Sequence, residues 1–514
     1  FQTAQNNYIP QGKVVDYIWE NELIEGHIKA YDAFYPMYDD PYVVNFLSEK
    51  AEKYQMENTK DAPQKIRKNA EDNLLREAFR AAKDGKINGN FGMTQSVIAY
   101  AAVVLDTMPE TKEMLDWNFQ AGGGVGEWPY RLVTGGNINP QLIDKVNRDG
   151  VASGEIAPNY AAIWTSGVVD IMDALDGYEG YPEVNLYNNV KFRKMLSCFL
   201  PITLCRRTTP QIGDSGGVGK DELMFSGSQS VKVFKATKDP IYAQQAYAFY
   251  KGKLTGVHYD IFTKNPETAA DEIRAAIEQY GEYDFDRSQQ LGGYGFTVLR
   301  SGSVYQNQTG GTLDTQRDFW MYYGGSASHG HYDGLNLGME AYGMNFMPEL
   351  AYPQDTTSDN YFNWGQGTIA HNLVMVDNAR QNYNPSYVDK PLHYDGDGIV
   401  KVMDVAGDKR YSNASIYRRS VVMIDVDDEV SYGVDFFRVK GGSDHIYNFH
   451  CMSDEIVETE GGLDFVAQTD YEGNYVGTYG GPTMPFGKAG QSNGYSWLDK
   501  VDRAQGPENG EFAV

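Results

Sequence analysis

The chain has 514 residues, of which 41% are apolar and 13% aromatic, and it carries a net charge of −26. That length exceeds one ordinary hydrophobic core, so two or more domains are expected. No run of 18 or more apolar residues is present, which argues against a membrane span. No Lys/Arg block is available to neutralise phosphates, which argues against nucleic acid as a partner. The three cysteines lack metal-ligand spacing and predict no disulfide framework.

The first part of the chain shows helical spacing. Apolar residues recur at every fourth position from Ile66 to Ala82, and Asp84-Gly85 ends that run. Asp40-Pro41 supplies a cap and a first turn for another helix. Successive helix hairpins of this kind stack into bundles, solenoids or toroids. Further helices are predicted at about 94–106, 157–176, 190–205 and 240–252.

The pattern changes to short alternating apolar runs near residue 290. Gly, Asn and Asp turns separate these runs, as in residues 294–300, 372–377, 420–425 and 445–450. Closely spaced strands of this kind predict antiparallel sheets that pack as a sandwich. The predicted fold is therefore multidomain α+β, with a helical domain at 1–288 and an antiparallel β domain at 289–514.

Three of the eight histidines, His329, His331 and His371, lie close together in the sequence, with Glu349 between them. In an extended strand, residues i and i+2 share a face, so His329 and His331 would project into one site. A His-x-His pair alone is a weak signal, because buried structural histidines are common. Together with a carboxylate and a third imidazole, the pair forms a ligand set that suits a divalent metal ion. Zinc is the expected ion, and manganese and calcium are alternatives.

Several motifs resemble the heparinase II/III-like polysaccharide lyases. The resemblance is carried by His-x-His-x-Asp within 328–377, by the segments 149–160 and 435–450, and by Pro210-Gln-Ile-Gly-Asp-Ser215. The matching pieces run in the family's order from about residue 88 to 450. The resemblance implies an incomplete (α/α) toroid followed by an antiparallel β-sandwich, with a polyuronate bound between them.

The reaction of that family sets three chemical demands. A lyase removes the C5 proton of a uronic acid and expels the C4-linked sugar, so the carboxylate must be neutralised and two protons moved. The resemblance implies that Asn90, supported by Gln95, neutralises the carboxylate, and that Tyr160 and His329 transfer the protons. Tyr160 needs nearby cationic or metal charge to lower its pKa from about 10, whereas a His pKa near 6.5 suits the task directly.

The resemblance also divides the histidine cluster. It assigns His329 to catalysis and leaves His331, Glu349 and His371 as ligands of a structural metal ion. Arginines offer bidentate contacts to anionic sugars, and a tryptophan can stack on a sugar ring. Substrate contacts are accordingly expected from Glu155, Trp128, Arg206 and Arg207, with solvated surface charge as the other account of the arginines.

The predicted function is β-elimination on an anionic, uronic-acid-containing polysaccharide, either a glycosaminoglycan or an alginate-like polymer. A uronate C5-epimerase shares the same proton abstraction and remains an alternative. A non-catalytic glycan-binding protein would not need Asn90, Tyr160 and His329 together. Barrel metal-dependent hydrolases place their His-x-His on an early strand, whereas here the pair lies in the second, β-rich half of the chain. A periplasmic or secreted location is expected from the substrate, although no signal peptide is visible, and no feature of the sequence indicates the oligomeric state.

Overall fold

The computed structural model describes residues 19–514 except 86, 88, 123–134, 256, 258–264, 351, 386, 454, 456, 457, 508 and 509. Helices come first in the chain. They are α1 (Glu20–Ala33), α2 (Pro41–Lys53), α3 (Pro63–Ala70), α4 (Arg76–Lys83), α5 (Met93–Leu105), α6 (Glu110–Phe119), α7 (Ile138–Asp144), α8 (Pro158–Leu175), α9 (Val190–Ser197), α10 (Gly227–Thr237), α11 (Pro240–Phe249) and α12 (Pro266–Tyr280). Across the described ranges, no helix has the length and apolar character needed to cross a membrane.

Most predicted helices are present with nearly the predicted bounds. The Asp40 carboxylate accepts the N–H of Tyr42 at 2.7 Å and caps α2. The run from 66 to 82 is divided into α3, one π-helical turn at Glu71–Leu75, and α4. The prediction for 190–205 was wrong at its end, since α9 stops at Ser197. Pro201 lacks an N–H and disfavours helical geometry in the residue before it, which explains the early end.

α5 lies at the centre of the helical half and packs against α1, α6 and α8. Val97 and Ile98 of α5 share a buried core with Trp164 of α8. A Cβ on Gly167 would lie 2.4 Å from the Gly92 Cα, so glycine is required for the two chains to come this close. This contact brings the start of α5 beside the middle of α8.

The second half of the chain is built from antiparallel strands. They are β1 (Gln289–Leu291), β2 (Phe296–Ser301), β3 (Val304–Gln306), β4 (Thr312–Asp314), β5 (Arg317–Tyr322), β6 (Asn336–Ala341), β7 (Met344–Asn345), β8 (Val374–Val376), β9 (Lys390–Asp395), β10 (Val400–Ala406), β11 (Ala414–Asp425), β12 (Ser431–Gly441), β13 (His445–Tyr447), β14 (Val466–Ala467) and β15 (Asp502–Arg503).

Two sheets form the sandwich, with strand orders β1-β2-β5-β6-β7 and β12-β11-β10-β9. Leu299 and Met321 of the first sheet share one buried core with Met403 and Val421 of the second. Facing apolar sides of this kind define a sandwich. The predicted α+β class, helical first and antiparallel β second, is therefore confirmed.

A separate core joins the helical half to the first sheet, and polar contacts at its margin fix the two halves together. The Asp149 carboxylate accepts the N–H groups of Gly293 at 2.5 Å and Tyr294 at 3.0 Å. The Tyr294 hydroxyl donates to the Ile156 carbonyl at 2.8 Å. The buried Arg300 guanidinium donates to carbonyls of the segment that follows α9. These bonds hold the loops of the β half against the first turn of α8.

Candidate active site

A cleft of about 1100 Å³ lies between the helical half and loops of the β half. Its walls are formed by α1, the residues around the start of α5, α8 as far as Asp170, the turn that contains Asp214, and loops that follow β5 and β7. Asn90, Tyr160 and His329 all line this cleft. The structure thus brings together the three residues that the sequence analysis assigned to catalysis.

Tyr160 and His329 are in direct contact. Tyr160 lies in the first turn of α8, and its ring stacks on the His329 imidazole with 3.6 Å between centroids and 9° between planes. Its hydroxyl lies 2.9 Å from the Tyr352 hydroxyl. Burial, the bond to Tyr352 and the negative charges of Asp214 and Glu155 raise the pKa of Tyr160 above its usual value. The described surroundings therefore keep this phenol protonated, which suits a proton donor.

The His-x-His segment is not a strand, so the prediction of an extended pair was wrong. His329 and His331 lie in the loop between β5 and β6, and His329 has a left-handed backbone with a φ of +61°. The two imidazoles instead reach different oxygens of one carboxylate. His329 Nδ1 lies 3.0 Å from Asp214 Oδ2, and His331 Nε2 lies 3.1 Å from Asp214 Oδ1.

Asp214 is fully buried at the meeting point of the two halves. Burial raises the pKa of Asp214, but hydrogen bonds from His329, His331 and Tyr361 outweigh it and lower that pKa to about 2. The turn approaches closely, because Gly213 has a φ of +60° and a Cβ there would lie 2.3 Å from the His329 carbonyl oxygen. Asp214 is therefore an ionised acceptor whose position is fixed by three donors.

No role was predicted for Asp214, Tyr352 or Tyr361. Asp214 could have been singled out from the sequence, because it lies in the Pro210–Ser215 segment that carries part of the family resemblance. The two tyrosines carry no comparable signal, since the chain has 38 of them. Their positions in the cleft follow from the loop between β7 and β8, which periodicity does not predict.

Asn90 and Gln95 lie near the start of α5 but differ in their contacts. The Gln95 side chain accepts the Gly92 N–H at 2.9 Å and donates to the Gly136 carbonyl at 2.7 Å, so its amide holds the loop in place. Asn90 is 8% exposed, and its Oδ1 has no hydrogen-bond partner among the described residues. Buried amide atoms are usually paired, so the Asn90 side chain is the one suited to a ligand.

His331, Glu349 and His371 are buried together, with one potential ligand atom from each lying within 4.8 Å of the others. His331 Nδ1 lies 3.3 Å from His371 Nε2. The opposite ring nitrogens are bonded elsewhere, to Asp214 at 3.1 Å and to the Gly367 carbonyl at 2.8 Å. Outer contacts of this kind fix the tautomer so that the inner nitrogens present lone pairs to a metal.

The charges of this cluster also fit a divalent cation. Glu349 Oε2 is buried without a hydrogen-bond partner within the described ranges, although it lies 3.2 Å from His371 Nε2. Burial lowers the pKa of His371, but the carboxylates of Glu349 and Asp333 outweigh it and raise that pKa to about 9. The site therefore favours a positive charge at this nitrogen, which a metal ion would supply. Two imidazoles and one carboxylate match a common zinc ligand set.

The predicted arginines lie away from the cleft. Arg206 donates to Asp286 at 2.8 Å, and Arg207 donates to Glu340 at 3.2 Å. The Arg206–Asp286 pair lies within the helical half, since both residues precede β1, whereas the pair of Arg207 with Glu340 of β6 joins the two halves. Glu155 is fully buried just before α8. Trp128 falls outside the described residues.

The sequence matches no family model and no curated protein. Solved structures do match its fold. One is a heparinase III gene product, 17% identical, with a TM-score of 0.53 over 88% of this chain and 66% of that one. Another is a mutant of the heparan sulfate lyase HepC from Pedobacter heparinus, 15% identical, with a TM-score of 0.51 over 90% of this chain and 65% of that one.

This chain therefore spans just under two thirds of the length of these structures. The coverage includes the helical half and the sheets. The chain has the fold of the heparinase-like polysaccharide lyases, and the resemblance drawn from its motifs is confirmed at the level of the fold.

Proposed function

We propose that this protein is a polysaccharide lyase that cleaves a uronic-acid-containing polysaccharide by β-elimination. The observation that carries the proposal is the Tyr160–His329 stack at 3.6 Å, in a cleft that Asn90 also lines. Such a pair places a proton donor and a proton acceptor at one point of the cleft. The names of the matching structures, heparinase III and heparan sulfate lyase, support the same reaction.

The contacts of each group suggest its role. Because Nδ1 of His329 is bonded to Asp214, Nε2 is left to accept the C5 proton, and the carboxylate then stabilises the imidazolium. The electrons released form the C4–C5 double bond, the bond from C4 to the leaving oxygen breaks, and Tyr160 donates its proton to that oxygen. The Nδ2 amide group of Asn90 donates hydrogen bonds to the uronate carboxylate as charge develops on it.

His331, Glu349 and His371 would hold a metal ion beside this machinery rather than in it. We propose zinc, because imidazole and carboxylate ligands in this number are typical of it. The bound ion would supply a fixed positive charge that orders the loop carrying His329.

We also propose a periplasmic or secreted location, since a large polysaccharide substrate is met outside the cytoplasm.

Elimination is tested by the unsaturated product that it forms. The protein is incubated with heparan sulfate, chondroitin, hyaluronan and alginate, and ultraviolet absorbance is followed over time. At least one polymer is expected to give a rising absorbance, because the new C4–C5 double bond is conjugated with the carboxylate. No absorbance with any polymer, together with solvent deuterium at C5, would refute the lyase and establish an epimerase.

The charge of the cleft bears on the substrate. Glu22, Glu25, Asp170 and Asp214 line it, and Lys29, which pairs with Glu25 at 2.6 Å, is the one lysine or arginine among its described lining residues. Asp170 lies on α8 about 15 Å along the helix axis from Tyr160. A sugar bound beyond the reacting uronate would therefore meet carboxylates.

We expect weakly sulfated polymers to be preferred. A sulfate about 10 Å from one carboxylate is repelled by about 1.7 kcal/mol at the effective dielectric of a protein surface, which corresponds to about 15-fold in kcat/KM. The check compares kcat/KM on an unsulfated and a heavily sulfated polymer of the same backbone. Asp170→Asn should narrow the difference, and equal rates on both polymers with the wild-type protein would contradict the prediction.

A further inference from the structure

A second cavity, of about 310 Å³, lies among α8, α9, α10 and α11. It meets the cleft along one face of α8, because Asn159, Ala162 and Ser166 line both. Asn159 is the neighbour of Tyr160, so the wall of the cavity begins one residue from the proposed proton donor. The volume is at the lower end of the range for small-ligand pockets, which suits one sugar unit rather than a chain.

The described lining of this cavity contains no lysine, arginine, histidine, aspartate or glutamate. Apolar side chains from α9 and α10, such as Met195, Leu196 and Val233, line it together with hydroxyl and amide groups. A charged group brought into such a cavity would lose its hydration without gaining a partner of opposite charge, which is strongly unfavourable. The cavity therefore selects an uncharged ligand.

One buried amide in the cavity has an unused acceptor. The Gln245 side chain of α11 is 3% exposed, and its Nε2 donates to the Leu196 carbonyl and to Ser230 Oγ, both at 2.9 Å. Because the carbonyl can only accept, these bonds fix the orientation of the amide. Its Oε1 has no hydrogen-bond partner within the described part of the chain. A buried acceptor without a donor is unfavourable, so this oxygen is suited to an N–H or O–H of a ligand.

We infer that this cavity is a specificity pocket for an N-acetylated hexosamine unit of the polysaccharide. The 2-amino group of a hexosamine occurs as a free ammonium, as an N-sulfate or as an acetamide, and of these only the acetamide is uncharged. Its N–H can donate to Gln245 Oε1 while its methyl group packs on the apolar lining. The choice of polymer rests on the proposed lyase function, whereas recognition of the acetamide does not.

The place of the cavity beside Tyr160 agrees with the chemistry of the leaving sugar. The leaving oxygen is attached to the anomeric carbon of that sugar, and the 2-amino group is on the next carbon. A hexosamine whose oxygen is protonated by Tyr160 would therefore carry its acetamide toward Asn159 and the shared wall. Phe225 and Phe249 also line the cavity, with 6.3 Å between their ring centroids, and offer apolar ring faces to a sugar.

The test measures binding of single sugars by saturation-transfer NMR, so it does not require turnover. Methyl N-acetylglucosaminide, methyl glucosaminide and methyl glucoside are each titrated into the protein. We expect only the N-acetylated sugar to bind, with the strongest transfer to its acetyl protons. Gln245→Leu should raise its Kd at least about tenfold, because the acceptor is lost. Gln244→Leu is the matched control with wild-type Kd, since Gln244 lies outside the cavity lining and donates to the Gly281 carbonyl.

A second variant keeps the test decisive if Gln245→Leu folds poorly. Thr165→Phe places a ring in the cavity but leaves the bonds of Gln245 intact, since the Thr165 hydroxyl donates to the Ala161 carbonyl of its own helix. It should abolish binding of the N-acetylated sugar. Equal binding of methyl glucoside, binding that both variants leave unchanged, or no binding to the wild-type protein would overturn the inference. A protein that binds the N-acetylated sugar but forms no unsaturated product with any polymer would refute the lyase proposal and leave the pocket assignment standing.

Discussion

Tyr160→Phe should lower kcat on the preferred polymer by at least about 10³-fold and change KM by less than about threefold. Phenylalanine keeps the ring that stacks on His329 at 3.6 Å but removes the hydroxyl that would protonate the leaving oxygen. The raised pKa of Tyr160 means that this proton is present throughout the physiological range. The measurement is steady-state ultraviolet turnover, with calorimetric binding of a short oligosaccharide to show that the cleft is intact.

Tyr352→Phe is the matched control, because its hydroxyl lies only 2.9 Å from that of Tyr160 and both residues line the cleft. We expect a loss of about tenfold, since Tyr160 keeps its own proton and loses one hydrogen-bond partner. A larger loss in Tyr352→Phe than in Tyr160→Phe would assign the donor role to Tyr352. Full activity in both variants would remove tyrosine from the mechanism.

The contrast between these two tyrosines shows what could be predicted from sequence. Tyr160 was found because it follows a motif whose Pro158 begins α8, and helix starts carry local signals. Tyr352 lies in a loop whose path depends on contacts distant in sequence, such as its N–H bond to the Gly216 carbonyl. Chain periodicity is local and contains no information on such contacts.

Asp214 illustrates the same limit for charged groups. Its partners His329 and His331 lie more than a hundred residues away, in the other half of the molecule. The His-x-His pair was expected to share one face of an extended strand, but the left-handed backbone at His329 turns the chain so that both imidazoles meet one carboxylate. The helices and sheets were predictable from spacing because their periods are fixed by backbone geometry. The proximity of the proposed donor, the proposed acceptor and the candidate metal ligands depends on the packing of the two halves.

Metal removal is expected to destabilise the protein without opening the cleft directly. His331, Glu349 and His371 are each no more than 4% exposed, so their polar atoms have little access to water. A metal at about 1000 times its Kd stabilises the folded state by about 4 kcal/mol. Its loss also leaves Glu349 Oε2 buried beside Asp333, a like charge that opposes burial.

Chelation should therefore lower the melting temperature of the wild-type protein by about 5–10 °C, measured by calorimetry alongside elemental analysis for zinc. His371→Ala should begin with a low melting temperature and show no further response to chelator, because the ligand set is already broken. His393→Ala, at an exposed histidine on β9, should respond like the wild type. If chelation removes zinc but leaves the melting temperature unchanged, the ion does not stabilise the fold. The protonated His371, whose pKa is raised by Glu349 and Asp333, would then be enough to balance the buried carboxylates.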